Sequence, residues 1–252
     1  MQLFSPQQAP LPPFTITGGI AHSWRWDAAH QAFILCVPHG ELIYFERFFN
    51  TKVSDRYVEY FQENDTLPWV NTDWRQVSED DFAQINFQHI RWQRDHIKIY
   101  GNKVPLPRLT AWYGDAGTLY TYSGITSVPN PWNKGLLYIK NRLEQSCGFG
   151  FNSVLLNWYL DGEDHMGWHA DDEVELGKNP VIASVNFGET RDFILRNNAD
   201  RRQKIVFPLC HGSVLIMAGA VQHYWQHSVP KRKRVSGSRF NLTFRQVFNK
   251  TP

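Results

Sequence analysis

The chain has 252 residues, 42% hydrophobic and 15% aromatic, which is enough to bury the core of one domain of the all-β or α+β kind. Its formal net charge of +2 is nearly neutral, so affinity for a polyanion has to come from local clusters. Cys36, Cys147 and Cys210 are odd in number and widely spaced, which suits a reducing interior and forms no metal pattern. Met1-Gln2-Leu3-Phe4-Ser5-Pro6 has no basic segment leading into an apolar run, and no stretch approaches about eighteen apolar residues. These features read as an intracellular, soluble monomer without a membrane partner, nuclear in a eukaryote and in the cytoplasm or nucleoid of a bacterium.

Residues 1–30 read as an irregular arm, most plainly over the Pro- and Gln-rich positions 1–13, and residues 31–252 as one domain. Ala32 to Val37 and Glu41 to Phe45 are expected strands around Pro38-His39-Gly40. Ser54, followed by Asp55, can cap a helix in which Val58 and Phe61 repeat at i, i+3. Phe82 to Gln93 fits neither period. Ile97 to Val104 reads as two short strands about a Gly101-Asn102 turn. Leu136, Ile139, Lys140 and Leu143 predict a helix over Trp132–Leu143, with Pro131 near its start. Thereafter short strands dominate: Ser153–Tyr159, Val181–Phe187, Arg191–Arg196, Gln203–Pro208, Ser213–Met217, Gln222–His227 and Ser238–Phe248. Such a run fits a double-sheet jelly roll.

His169-Ala170-Asp171 and the later His227-Ser228-Val229-Pro230 are the most informative features. Two imidazoles and one carboxylate form the facial triad that holds non-haem Fe(II) and leaves positions open for a cosubstrate and O₂. A lone His-x-Asp is a weak signal. His223 and His227 also stand at i, i+4, which on a helix could hold zinc. No Glu follows His223, however, and Val221, Tyr224 and Trp225 with Val229 and Pro230 read as strand and turn. His223 is then a satisfied core histidine or one supporting the ligands. In Arg239-Phe240-Asn241-Leu242-Thr243-Phe244-Arg245, strand alternation sends Arg239, Asn241, Thr243 and Arg245 to one face and Phe240, Leu242 and Phe244 to the other. An inward polar row with two arginines wants an anion, and the guanidinium fork suits a carboxylate.

Asn157-x-Tyr159, His169-x-Asp171, His227 and Arg239-x-Asn241-x-x-x-Arg245 together resemble the AlkB family of Fe(II)/2-oxoglutarate dioxygenases, over roughly residues 95–248 and most closely its duplex-DNA-acting animal members. The resemblance implies an α+β, mainly β fold: a double-stranded β-helix (jelly roll) with N-terminal helices and a nucleotide-recognition lid over residues 95–125. It places Fe(II) on His169, Asp171 and His227. It assigns 2-oxoglutarate to Asn157, Tyr159, Arg239, Asn241, Thr243 and Arg245, with Arg245 on the distal carboxylate and Arg239 toward the iron. The implied reaction is oxidative demethylation of 1-methyladenine and 3-methylcytosine in DNA, consuming O₂ and 2-oxoglutarate and releasing formaldehyde, succinate and CO₂.

A base inside a duplex cannot reach buried iron, so it has to be flipped out. Tyr120 and Tyr122 share a strand face, and relatives place an aromatic at the Tyr122 position against the first iron histidine. Tyr122 and His169 are then expected to sandwich the base, with Tyr120, Asp172 and Glu173 at its polar edge. Tyr100, beside Gly101 and Asn102 at the hairpin tip, is the expected wedge, and Arg108 the arginine near it. Arg201 and Arg202, in a loop flanked by Arg196 and Lys204, are expected phosphate contacts together with Lys231, Arg232, Lys233 and Arg234. Plainer readings stand beside these: ordinary strand aromatics, a solvated loop arginine, and a solvated turn or nuclear targeting signal. Two rival functions are an AlkB-like demethylase of RNA or single strands and a metal-binding jelly roll without catalysis.

Overall fold

The computed structural model describes residues 9–65, 73–99, 102–118, 120–122 and 125–248, with the backbone alone described for 97–99, 102–103, 120–122 and 125–127. In chain order the elements are β1 (Thr15–Thr17), β2 (Ser23–Asp27), β3 (Ala32–Val37), β4 (Gly40–Phe45), α1 (Thr51–Gln62), α2 (Glu79–Ala83), β5 (His96–Ile99), β6 (Asn102–Pro105), β7 (Leu109–Gly114), β8 (Tyr120–Tyr122), β9 (Ile125–Ser127), β10 (Asn130–Pro131) and α3 (Lys134–Cys147). There follow β11 (Ser153–Tyr159), β12 (Met166–His169), β13 (Ile182–Gly188), β14 (Arg191–Asn197), β15 (Lys204–Leu209), β16 (Val214–Gly219), α4 (Val221–Tyr224), β17 (Trp225–Val229) and β18 (Arg239–Arg245).

Two sheets form the body: β10-β7-β11-β18-β13-β16-β4-β3-β2, and the smaller β1-β15-β14-β17-β12. This is the jelly roll expected from the strand spacing. The large sheet has two apolar faces. Against α1 and α3 it packs Trp158, Phe187, Phe240, Leu242 and Phe244, which meet Phe61, Leu136, Ile139 and Leu143. Each such side chain, fully buried, contributes about 1.5–3 kcal/mol. Toward the small sheet, Tyr44 and Leu215 join Leu195, Phe207 and Trp225 in a second core. Near β11 and β18 that second layer turns polar, and the site lies there.

Both long helices are fixed by side-chain caps. Asn50 caps α1, accepting from Val53 N at 3.0 Å, so the helix begins before the expected Ser54, which is buried inside it. Asn133 caps α3 at Leu136 N, and Gly148, with φ 72°, closes it in the left-handed conformation.

Two expectations are corrected. The irregular arm over 1–30 holds two strands, because Thr15–Thr17 pair with β15 and Ser23–Asp27 with β3. The strand expected over Gln222–His227 begins only at Trp225: Val221–Tyr224 is one helical turn, whose N–H groups bond back to Ala220 O. His223 is consequently exposed, with Nε2 against Lys178 O, rather than a core or ligand-supporting histidine.

Candidate active site

Three strands deliver the metal ligands and the polar row. β12 and β17 pair so that His169 stands directly opposite His227. Asp171 follows two residues later, its backbone N–H donating to Gln222 Oε1 of α4 at 3.0 Å. Ligand atoms of His169, Asp171 and His227 all lie within 4.8 Å of one another. His169 Nδ1 stands 2.9 Å from Gly167 O, so a proton on Nδ1 leaves the Nε2 lone pair for a metal. Burial, and then the neighbouring His169, push the His227 imidazole down to about 3, which keeps it neutral and able to ligate. Burial alone would raise the Asp171 carboxyl. Arg245, His227 and His169 outweigh that and hold it below the usual carboxylate range.

β18 behaves as its alternation requires. Phe240, Leu242 and Phe244 pack in the helix-side core, while Arg239, Asn241, Thr243 and Arg245 line one cavity with Asn157, Tyr159 and the triad. Thr243 Oγ1 donates to Asn241 Oδ1 at 3.2 Å, and Asn241 Nδ2 donates to Ser184 Oγ at 2.8 Å. The two arginines exchange the ends expected of them. Arg245 Nη2 reaches Asp171 Oδ1 at 2.5 Å, so it belongs to the triad end. Arg239 stacks over Tyr159, 5.0 Å from the ring centre, and gives Nη2 to the neutral Asn186 Oδ1 at 2.6 Å. Its Nε and Nη1 are buried with no partner. Burial lowers the guanidinium to about 10, with Tyr159 opposing, so it stays charged at neutral pH.

These observations fit a metal and an acidic cosubstrate. The triad supplies two neutral nitrogens and one carboxylate. Arg239 supplies a buried cation with two donor nitrogens, Nε and Nη1, unused, and such a group is costly unless an anion answers it.

The expected nucleic-acid contacts divide. Tyr100 and Gly101 lie outside the described residues, between paired strands in which Ile99 faces Asn102. Tyr120 and Tyr122 sit in β8, paired with Ser127 and Ile125, and their side chains, like that of Asn102, lie outside the described set. Asp172 is exposed, and Glu173 is half-buried with Oε2 lacking a partner. Arg108 is no solvated loop arginine: it is buried and donates through Nε to Asn157 Oδ1 at 2.7 Å. Among the basic residues, Arg202 pairs with Asp200 at 2.9 Å, Lys231 with Glu163 at 3.4 Å, and Arg232 with Asp192. Arg201, Lys233 and Arg234 are exposed, with no acid at ion-pair distance among the described residues. Arg196 caps the exposed Trp168 ring at 4.0 Å.

Sequence reasoning missed Ser184 and Asn186, although two polar residues at i, i+2 in an apolar strand signal an inward polar face. It also missed Gln222, for which the sequence carries no such signal.

Residues 72–245 match the model of the 2OG-Fe(II) oxygenase superfamily. The chain is also 33% identical to "DNA oxidative demethylase ALKBH2" of Arabidopsis thaliana, over 83% of this chain and 67% of that one. It is a 2OG-Fe(II) oxygenase of the AlkB family. Other relatives in the family are "Alpha-ketoglutarate-dependent dioxygenase alkB homolog 3" of Bos taurus, 48% identical over 56% of this chain and 52% of that one, and "DNA oxidative demethylase ALKBH2" of Homo sapiens, 44% identical over 60% of each. The match thus spans about half the length of the first of these. "The structure of OsALKBH1" shares the fold, with TM-score 0.53 and 16% identity over 81% of this chain and 97% of that one. Among the described residues, no helix is long and apolar enough to cross a membrane.

Proposed function

We propose that this chain removes N-methyl groups from damaged DNA bases, 1-methyladenine and 3-methylcytosine above all, by direct oxidative reversal. The observation that carries the reading is the single cavity with a His-Asp-His triad at one end and the uncompensated Arg239 at the other. Fe(II) on the triad, with 2-oxoglutarate and O₂, supplies the oxidising power that hydroxylates an N-methyl carbon, so that formaldehyde, succinate and CO₂ leave. Arg239 binds the distal carboxylate, Asn157 and Tyr159 line its path, and Arg245 keeps the Asp171 carboxylate ionised and oriented. The buried walls exclude water. A flipped base enters past His169, with Tyr120, Tyr122, Asp172 and Glu173 around it, Tyr100 filling the gap, and Arg201, Arg202 and the turn from Lys231 to Arg234 along the phosphates. The names of relatives carrying DNA oxidative demethylase activity support this substrate class.

The test is an anaerobic Fe(II) and 2-oxoglutarate titration, followed by mass spectrometry of methylated duplex and single-stranded oligonucleotides. Loss of 14 mass units per methyl (about one CH₂, by simple stoichiometry of demethylation with the cosubstrate chemistry above) with matching succinate is the expected result. Turnover of methylated RNA or single strands only would move the reading to the single-strand rival. Metal binding without succinate release would leave a non-catalytic module.

A further inference from the structure

Arg108 precedes β7 at the root of the β5–β6 hairpin, on a braced segment. Leu106 N donates to Asp95 O at 2.8 Å, and Gln93 and Thr110 exchange backbone bonds at 2.8 and 3.0 Å. From there its buried side chain turns away from solvent and gives Nε to Asn157 Oδ1. An amide's oxygen and nitrogen are hard to tell apart by shape, but arginine has donors only. This bond therefore decides which way Asn157 faces: its oxygen goes to Arg108, and its amino group is left for the cavity that Asn157 lines. The backbone of Asn157 has no freedom to change this, being held in register between Thr110 and Asn241. Without a donor-only partner, the amide could rotate and present its oxygen to an acidic cosubstrate.

We infer that Arg108 is a positioning residue for the cosubstrate: it holds the Asn157 amide with its N–H groups toward 2-oxoglutarate, and so couples the root of the nucleotide-recognition hairpin to cosubstrate affinity. This rests on the reading that 2-oxoglutarate occupies the cavity between the triad and Arg239. Arg108 then acts through Asn157 on the cosubstrate rather than on the nucleic acid.

The experiment is calorimetric titration of 2-oxoglutarate into the Zn(II)-loaded protein, which binds without turning over. Arg108→Met should weaken 2-oxoglutarate about tenfold or more, the scale of a lost charge-assisted hydrogen bond. Arg108→Lys, also donor-only, should recover most of that. Asn157→Ala should lose as much as Arg108→Met, and the double variant no more than either single one. Zn(II) affinity should stay near wild type. Unchanged 2-oxoglutarate affinity in Arg108→Met, losses that add in the double variant, or no rescue by Lys would overturn the inference. A parallel loss of Zn(II) affinity would do the same, since it would mark a general disturbance. If Arg108→Met does not fold, the wild type still decides: the Asn157 side-chain amide signals of ¹⁵N-labelled Zn(II) protein should shift on adding 2-oxoglutarate, and unmoved signals count against it. Failure of the wild type to bind 2-oxoglutarate at all sinks the cosubstrate reading first, and this inference with it.

Discussion

The two ends of β18 present the same side chain in opposite circumstances. At one end Arg245 is buried against a carboxylate, with Asp171 Oδ1 2.5 Å away, and the charge is answered from within the chain. At the other Arg239 is as deeply buried, but its bond goes to a neutral amide and two of its donor nitrogens, Nε and Nη1, have no partner. Leaving a buried charge uncompensated costs about 3–5 kcal/mol. The difference teaches that the cavity is built in two halves, one already closed upon itself around a cation site, the other held open for an anion.

The most severe way to break this contrast is Asp171→Ala, which removes a ligand and strips Arg245 of its partner together. Groups that merely support a ligand cost about 10–100-fold in metal affinity when removed, so loss of the ligand itself should exceed that and abolish turnover. Calorimetric Zn(II) binding checks the first and succinate release the second; retained metal would mean that the triad is misassigned. Next comes Arg239→Met. It should weaken 2-oxoglutarate by about 100-fold while leaving Zn(II) affinity intact. The cosubstrate-free protein should melt no lower than wild type, because an uncompensated buried charge has gone. A fall in Tm would show that Arg239 is answered internally after all. Arg245→Met sharpens the comparison from the other side: it should lower Tm and alter Zn(II) affinity, with a smaller effect on 2-oxoglutarate than Arg239→Met. Reversed effects of the two variants would restore the assignment read from the sequence.

That reversal shows where sequence reading reaches its limit. Alternation in β18 was enough to separate Arg239, Asn241, Thr243 and Arg245 from Phe240, Leu242 and Phe244, because side-chain period is local. Which arginine meets Asp171 depends on how the end of β12 in the small sheet faces β18 in the large one, and no local pattern carries that. The triad was readable for a related reason: its spacing has few other uses. Gln222 was not, since a single helical turn inside a strand-like run is set by its packing against the neighbouring strands. Arg108 was placed at the right loop, but its direction was not readable, because burial of a loop arginine depends on the partner across the strand. The arm over 1–30 was misread because short polar strands such as Thr15–Thr17 gain their order only from the sheet edge they join.

The opposition of His169 and His227 has a mechanical consequence. β12 is an edge strand, held by β17 alone, and its pairing is already irregular between Met166 and His169. A slip of one residue would swing the first imidazole to the outer face, and an unpaired edge is where chains slide or adhere to one another. An ion gripping both imidazoles would be a rivet through two neighbouring strands, fixing an edge of the small sheet whose backbone pairing is irregular. Amide exchange over Met166–His169 should then slow when Zn(II) binds; equal rates with and without metal would mean the strand keeps its place unaided.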